Sequence, residues 1–173
     1  MTQEEFIKQL DKKGYSYEIE GDKIIIIGGY GGNVNLYSLT SLPPGVEFKN
    51  GGTVFLDSLT SLPPGVEFNN GGDVSLSKLT SLPPGVVFKN EGRVDLSALT
   101  SISPGVEFKN GGYVDLESLT SLPPGVEFKN GKNVRLDSLV GVDGLFHKWE
   151  SNIEGIDAKR LLNVMIKQGV FER

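Results

Sequence analysis

Acidic residues that could do chemistry recur in this chain at a fixed interval. Asp95 and Asp115 are twenty residues apart, and Glu117 and Asp137 repeat the same interval two positions on. If twenty residues make one turn of a coil, each pair stands one rung apart, about 5 Å. Two carboxyl groups at about that separation suit a retaining glycoside hydrolase, and their oxygens suit a divalent cation. Arg93 and Arg135 flank the cluster, however, and guanidinium groups at that distance neutralise carboxylates. Nothing else supplies a reactive centre. His147 is the one histidine, with no activating partner motif beside it, and the chain has no cysteine for a thiolate ligand, a disulfide or a thiol nucleophile. Thr40, Thr60, Thr80, Thr100 and Thr120 would form a hydroxyl row of the kind that meets ice or a crystal surface, but Lys78 and Ala98 interrupt the flanking row of Ser38, Ser58 and Ser118. The expectation is a non-enzymatic chain with no metal and no cofactor.

The interval belongs to a repeat. From Gly31 five copies of a twenty-residue block read GGxVxLxxLTSLPPGVEFKN with few changes, and a sixth opens at Gly131 and decays after Val142. A fixed period of this length marks a solenoid, each repeat one coil stacked on the last. Val34, Leu36, Leu39, Leu42, Val46 and Phe48 are the apolar set of the first coil, and the later coils repeat them. Val-x-Leu and Val-x-Phe both have strand periodicity, so two short strands per coil are expected. Pro43-Pro44-Gly45 forces one corner and Asn50-Gly51-Gly52 the other. Six coils at about 4.8 Å make a rod of about 25–30 Å. Asn50, Asn70, Asn90, Asn110 and Asn130 would form a ladder bonded to turn backbone, and the Glu-x-Lys pairs beside each Phe a solvated charged face.

Residues 1–30 read as an N-terminal cap. Thr2-Gln3-Glu4-Glu5 is a capping box opening a helix with Phe6, Ile7 and Leu10 on one face, and Gly14 is its stop. Tyr15 to Ile19 and Ile24 to Ile27 then form a hairpin, the second strand covered on one face by the helix and on the other by the first coil. Residues 31–142 are the six-coil solenoid. Residues 143–173 read as a C-terminal cap, with Leu145, Phe146 and Trp149 as bulky apolar surface. There Asp157 is the N-cap of a helix carrying Ala158, Leu161, Leu162, Met165 and Ile166 on one face. Two caps cover the edges through which a solenoid would otherwise polymerise. The fold class expected is mainly β: a right-handed, six-coil β-solenoid or leucine-rich-repeat-like stack between an α-β-β cap and a closing helix.

The run LTSLP on a twenty-residue period resembles the short leucine-rich repeats of bacterial effector proteins. GGxVxLxxLTSLPPGVxF resembles still more the GGxLxLxxTxITSLPEGLxV repeats of bacterial and phage proteins. The resemblance spans Gly31 to Val142 and implies a solenoid, not an activity. One departure matters: the usual leucine-rich signature has an Asn five residues after its first strand leucine, and the spacing here leaves no room for it. A plain two-sided β-solenoid and a horseshoe both stay open. Effectors of this kind that carry a ubiquitin ligase domain work through a cysteine, which this chain lacks.

The net charge of −5 argues against a nucleic-acid partner, whose site would be a basic stripe. No apolar run is long enough for a membrane span, and the polar opening MTQEEFIKQL does not read as a signal peptide. A cytoplasmic protein of a bacterial or infected bacterial cell, monomeric or a small homo-oligomer, is expected. Differences between the copies then locate function. The third position of the block runs Asn33, Thr53, Asp73, Arg93, Tyr113, Asn133; the fifth Asn35, Phe55, Ser75, Asp95, Asp115, Arg135; the seventh Tyr37, Asp57, Ser77, Ser97, Glu117, Asp137. All three share outward parity on the first strand. Aromatic and arginine anchors among mixed charges suit a protein-binding surface. Tyr37, Phe55, Arg93, Tyr113, Asp115 and Arg135 are the partner-binding candidates. An inhibitor of a host defence or regulatory protein, encoded by a phage, fits that expectation. A self-assembling structural module such as a virion component, and a carbohydrate-binding protein, are the alternatives.

Overall fold

The computed structural model describes residues 1–139 and 141–142. Helix α1 (Gln3–Lys13) opens with the expected capping box. The Glu5 amide donates to the Thr2 hydroxyl at 3.2 Å and the Thr2 amide to the Glu5 carboxylate at 2.8 Å. It stops at Gly14, whose φ of 68° is the left-handed conformation that glycine adopts without strain. Strands β1 (Ser16–Glu20) and β2 (Lys23–Gly28) follow as an antiparallel hairpin.

The coils are three-sided, not two-sided. A front side carries Val-x-Leu, with strands from Val34–Asn35 in coil 1 to Val134–Arg135 in coil 6, and forms a six-stranded parallel sheet. A back side carries Val-x-Phe, from Val46–Phe48 in coil 1 to Glu127–Phe128 in coil 5. It joins β1 and β2 in a seven-stranded sheet. Between them lies a middle side, where Ser81–Leu82 pairs with Ser101–Ile102 and Ser121–Leu122 with Gly141–Val142. The extra corner comes from the Leu-x-x-Leu spacing. The Leu39 amide donates to the Leu36 carbonyl at 3.0 Å, and the equivalent bond recurs from Leu59 to Leu139. That i to i+3 closure is a turn, so the chain bends before Thr-Ser-Leu as well as at the two expected corners.

Register is in phase throughout: Val34 pairs with Val54, Phe48 with Phe68, and the pattern continues coil by coil. Like side chains therefore stack. Phe48, Phe68, Phe88, Phe108 and Phe128 form an interior column with rings 5.0–5.2 Å apart and within 4° of parallel. The valines and leucines of all sides close around that column. The Asn ladder is present. Asn70 Nδ2, for example, donates to the carbonyls of Gly52, Gly72 and Asp73 at 2.9–3.1 Å. At the same corner the coils touch backbone to backbone. A Cβ on Gly112 would lie 2.5 Å from the carbonyl carbon of Gly92, so this position accepts no side chain.

The cap sits differently from expectation on one point. Strand β2 lies beside coil 1, in the plane of the back sheet, Ile24 paired with Val46 and Ile26 with Phe48. Ile24 and Ile26 join Phe6, Leu10 and the apolar residues of coil 1 in one core cluster, and Ile25 on the other face of the strand is buried as well. Pairing with the next strand answers the backbone of β2, and α1 answers its inner face. Tyr15 locks the cap to the front side: its hydroxyl accepts from the Asn35 amide at 2.8 Å and donates to the Asn35 carbonyl at 3.0 Å. One side chain thus does for that sheet edge what a neighbouring strand would. The expected cap of residues 143–173, with His147, Trp149 and the helix from Asp157, lies outside the described residues.

Candidate partner-binding face

The front side is built from residues that alternate in and out. Valine and leucine point to the core, and the third, fifth and seventh positions of each block lie outside it, exposed or half-buried except for the buried Asp115. In-phase pairing puts Asn35, Phe55, Ser75, Asp95, Asp115 and Arg135 in one file. The six candidates fall into two groups along it. Tyr37 and Phe55 stand at the capped end, with ring centroids 5.1 Å apart and planes tilted by 35°. Arg93, Tyr113, Asp115 and Arg135 stand together over coils 4 to 6, where with Asn133 and Asp137 they line a depression of about 590 Å³. A smaller one of about 180 Å³, lined by Thr53, Phe55, Asp73, Ser75 and Asp95, reaches Arg93 from the other direction.

The carboxylates of coils 4 to 6 are tied up by the two arginines. Arg93 Nη2 lies 3.1 Å from Asp95 and 2.8 Å from Asp115. Arg135 meets Asp115 at 3.7 Å, Asp137 at 2.7 Å, and Glu117. Asp137 first, then Glu117 and Asp115, push the Arg135 guanidinium above its ordinary pKa, so its charge is constant at all physiological pH. Asp115 is only 8% exposed. It holds both arginines in place, and little of it is left on the surface. The carboxylates thus serve as counter-ions to the two guanidinium groups. Among the described residues no three His, Cys, Asp or Glu side chains are grouped to hold a metal ion, and no helix is long and apolar enough to cross a membrane.

Some of the variation has a structural explanation that sequence reasoning missed. The third-position side chain clasps the following coil in the first half of the rod. Asn33 Oδ1 accepts from the Thr53 amide at 2.8 Å, Thr53 Oγ1 from the Asp73 amide at 3.3 Å, and Asp73 Oδ1 from the Arg93 amide at 2.7 Å. Asp95 and Asp115 likewise accept from the amides two residues on, Ser97 and Glu117. Asn, Thr and Asp are the types that accept backbone N–H groups locally, and this was the available signal. The rings have no such task. Among the described coil residues the large apolar side chains that stand exposed are Tyr37 at 50% and Tyr113 at 49%, both on the front side. The back side is different in kind: Glu47, Glu107 and Glu127 each pair with the lysine two residues on, and Glu67 with Lys23 and Lys89.

No family model matches the chain, and neither a curated protein nor a solved structure matches it.

Proposed function

We propose that this chain is a non-enzymatic binding module that engages another protein through the front side of its solenoid. The observation that carries the reading is that Tyr37, Phe55 and Tyr113 all lie on the front side, Tyr37 and Tyr113 about half exposed, with only each other and Lys132 against their rings among the described contacts. Rings on a rigid support, here the exposed Tyr37 and Tyr113 and the half-buried Phe55, lose little entropy on association and anchor interfaces well. Arg93 and Arg135 lie beside them, held in one geometry by Asp115, and the uniform, internally paired back side offers a partner nothing comparable. The partner is occluded by a stiff surface and undergoes no chemistry on it. In the same reading the coil is right-handed, the repeats are akin to the short leucine-rich repeats of bacterial and phage proteins, and residues 143–173 close the rod with a helix. The setting is the cytoplasm of a bacterial or infected cell, where the target is a defence or regulatory protein.

The test is affinity capture from bacterial lysate by the native chain and by a variant carrying Phe55→Ser, Tyr113→Ser and Arg135→Ser, with melting temperatures compared. A protein held by the native chain and released by an equally stable variant supports the reading. Capture unaffected by the variant overturns it.

A further inference from the structure

We propose that the Phe55 end of the front side receives a lysine or arginine side chain of the protein partner; this rests on the front side being the binding surface. The far end of the same face holds an internal precedent. There the Lys132 ammonium stands 5.1 Å from the centroid of the Tyr113 ring, and each of the four surrounding carboxylates is ion-paired with Arg93 or Arg135. Aromatic faces attract cations through their quadrupole, more strongly when water is excluded. At the Phe55 end the ring pair of Tyr37 and Phe55 has the same character but, among the described residues, no cation over it. Nor do Asp57 and Asp73 beside it have a lysine or arginine within ion-pair distance among those residues.

The two carboxylates are fixed in place all the same. Asp57 Oδ1 accepts from the hydroxyls of Ser75 and Ser77, and Asp73 Oδ1 from the Arg93 amide. Each keeps its second oxygen outside these bonds. Phe55 and Asp73, with Thr53, Ser75, Asp95 and Arg93, line a depression of about 180 Å³, which suits the head of one side chain and is well short of a drug-sized ligand site. The Arg93 guanidinium at its edge is already paired with Asp95 and Asp115, and Asp57 and Tyr37 are not part of the lining. Charge over the whole face points the same way. The three outward positions of the six coils hold six carboxylates (Asp57, Asp73, Asp95, Asp115, Glu117, Asp137) against two guanidinium groups (Arg93, Arg135). Such a face steers a basic surface towards it and repels an acidic one.

A displayed library of random dodecapeptides, selected on the native chain and counter-selected on the Phe55, Tyr113 and Arg135 serine variant, tests this. Enriched peptides should carry Lys or Arg. Their affinity should fall about tenfold or more with Asp57→Asn plus Asp73→Asn, and with Phe55→Leu, while Glu107→Gln plus Glu127→Gln on the back side leaves it unchanged. Equal melting temperatures exclude misfolding as the cause. Enriched peptides without a cation, or an affinity indifferent to the Asp57 and Asp73 changes, overturn the inference and leave the binding face standing. No enrichment over the counter-selected variant overturns both.

Discussion

Replacing Asn90 by alanine and by aspartate tests, by the order of the two losses, which atom makes the asparagine ladder work. Asn90 is fully buried, and its Nδ2 donates to the carbonyls of Gly72 and Gly92 at 3.1 Å and of Arg93 at 3.3 Å. Each carbonyl keeps another donor, the amides of Gly92, Gly112 and Val74 respectively, so truncation strands none of them. The two Nδ2 protons, shared among the three carbonyls, amount to about 2–3 kcal/mol at about 1–1.5 kcal/mol net per hydrogen bond, and removing Oδ1, which is buried with no partner, returns about 1 kcal/mol or more. Asn90→Ala should therefore cost about 1–2 kcal/mol. Asn90→Asp preserves the volume but sets an acceptor-only carboxylate against three carbonyl oxygens, an unpaired buried charge costing about 3–5 kcal/mol. Burial and those carbonyls would raise the new carboxyl's folded pKa above its unfolded value of about 3.9. The deficit is then full above the folded pKa and disappears as pH falls towards the unfolded one, where the protonated group can donate. Urea unfolding followed by circular dichroism, with the native chain measured at each pH, reads both effects. An aspartate variant as stable as the alanine variant at neutral pH would refute the assignment of Nδ2 as the working atom of the ladder.

Other expectations follow from the packing. Phe88→Ala removes a fully buried ring stacked between Phe68 and Phe108, and should cost about 3–5 kcal/mol by denaturant unfolding. Gly112→Ala drives a methyl into the backbone of the preceding coil and should cost at least about 2 kcal/mol. Gly105→Ala meets open space and carries only the left-handed strain of φ 79°, about 1 kcal/mol, so thermal melts should rank the pair in that order. Lys89, and more weakly Lys23, hold Glu67 below the usual carboxylate pKa, against a smaller opposing effect of burial. With its folded pKa depressed, the Glu67 pairs stabilise above the unfolded pKa and lose that contribution as pH falls through the folded one. Glu67→Gln should cost well under 1 kcal/mol at neutral pH, because both lysines are about half exposed, and nothing in acid.

Much of this architecture is legible in twenty residues. The inward valines, leucines and phenylalanines, the Asn ladder and the positive-φ glycine of the proline corner are local patterns that repetition makes count several times, and the capping box is a local pattern met once. The third side was not legible, because Leu36 and Leu39 keep the apolar spacing of a continuing strand and only the hydrogen bond between them shows a turn. The plane of β2 and the clasp of Tyr15 on Asn35 depend on which strand neighbours which, and no local pattern encodes that. On the front side the outward parity was legible, as was the neutralising part of Arg93 and Arg135. The depth of Asp115 was not, because it depends on the two arginines closing over it from neighbouring coils.

Because the chain has no cysteine, each side of the coil can be given one. Ser75→Cys on the front, Thr100→Cys on the middle and Glu107→Cys on the back, each labelled with a short benzophenone cross-linker and irradiated in bacterial lysate, ask directly which surface a partner touches. A single protein cross-linked from position 75 and from neither of the others is the result the account predicts. Cross-linking from positions 100 or 107 with none from 75, or only to further copies of the chain itself, would contradict it.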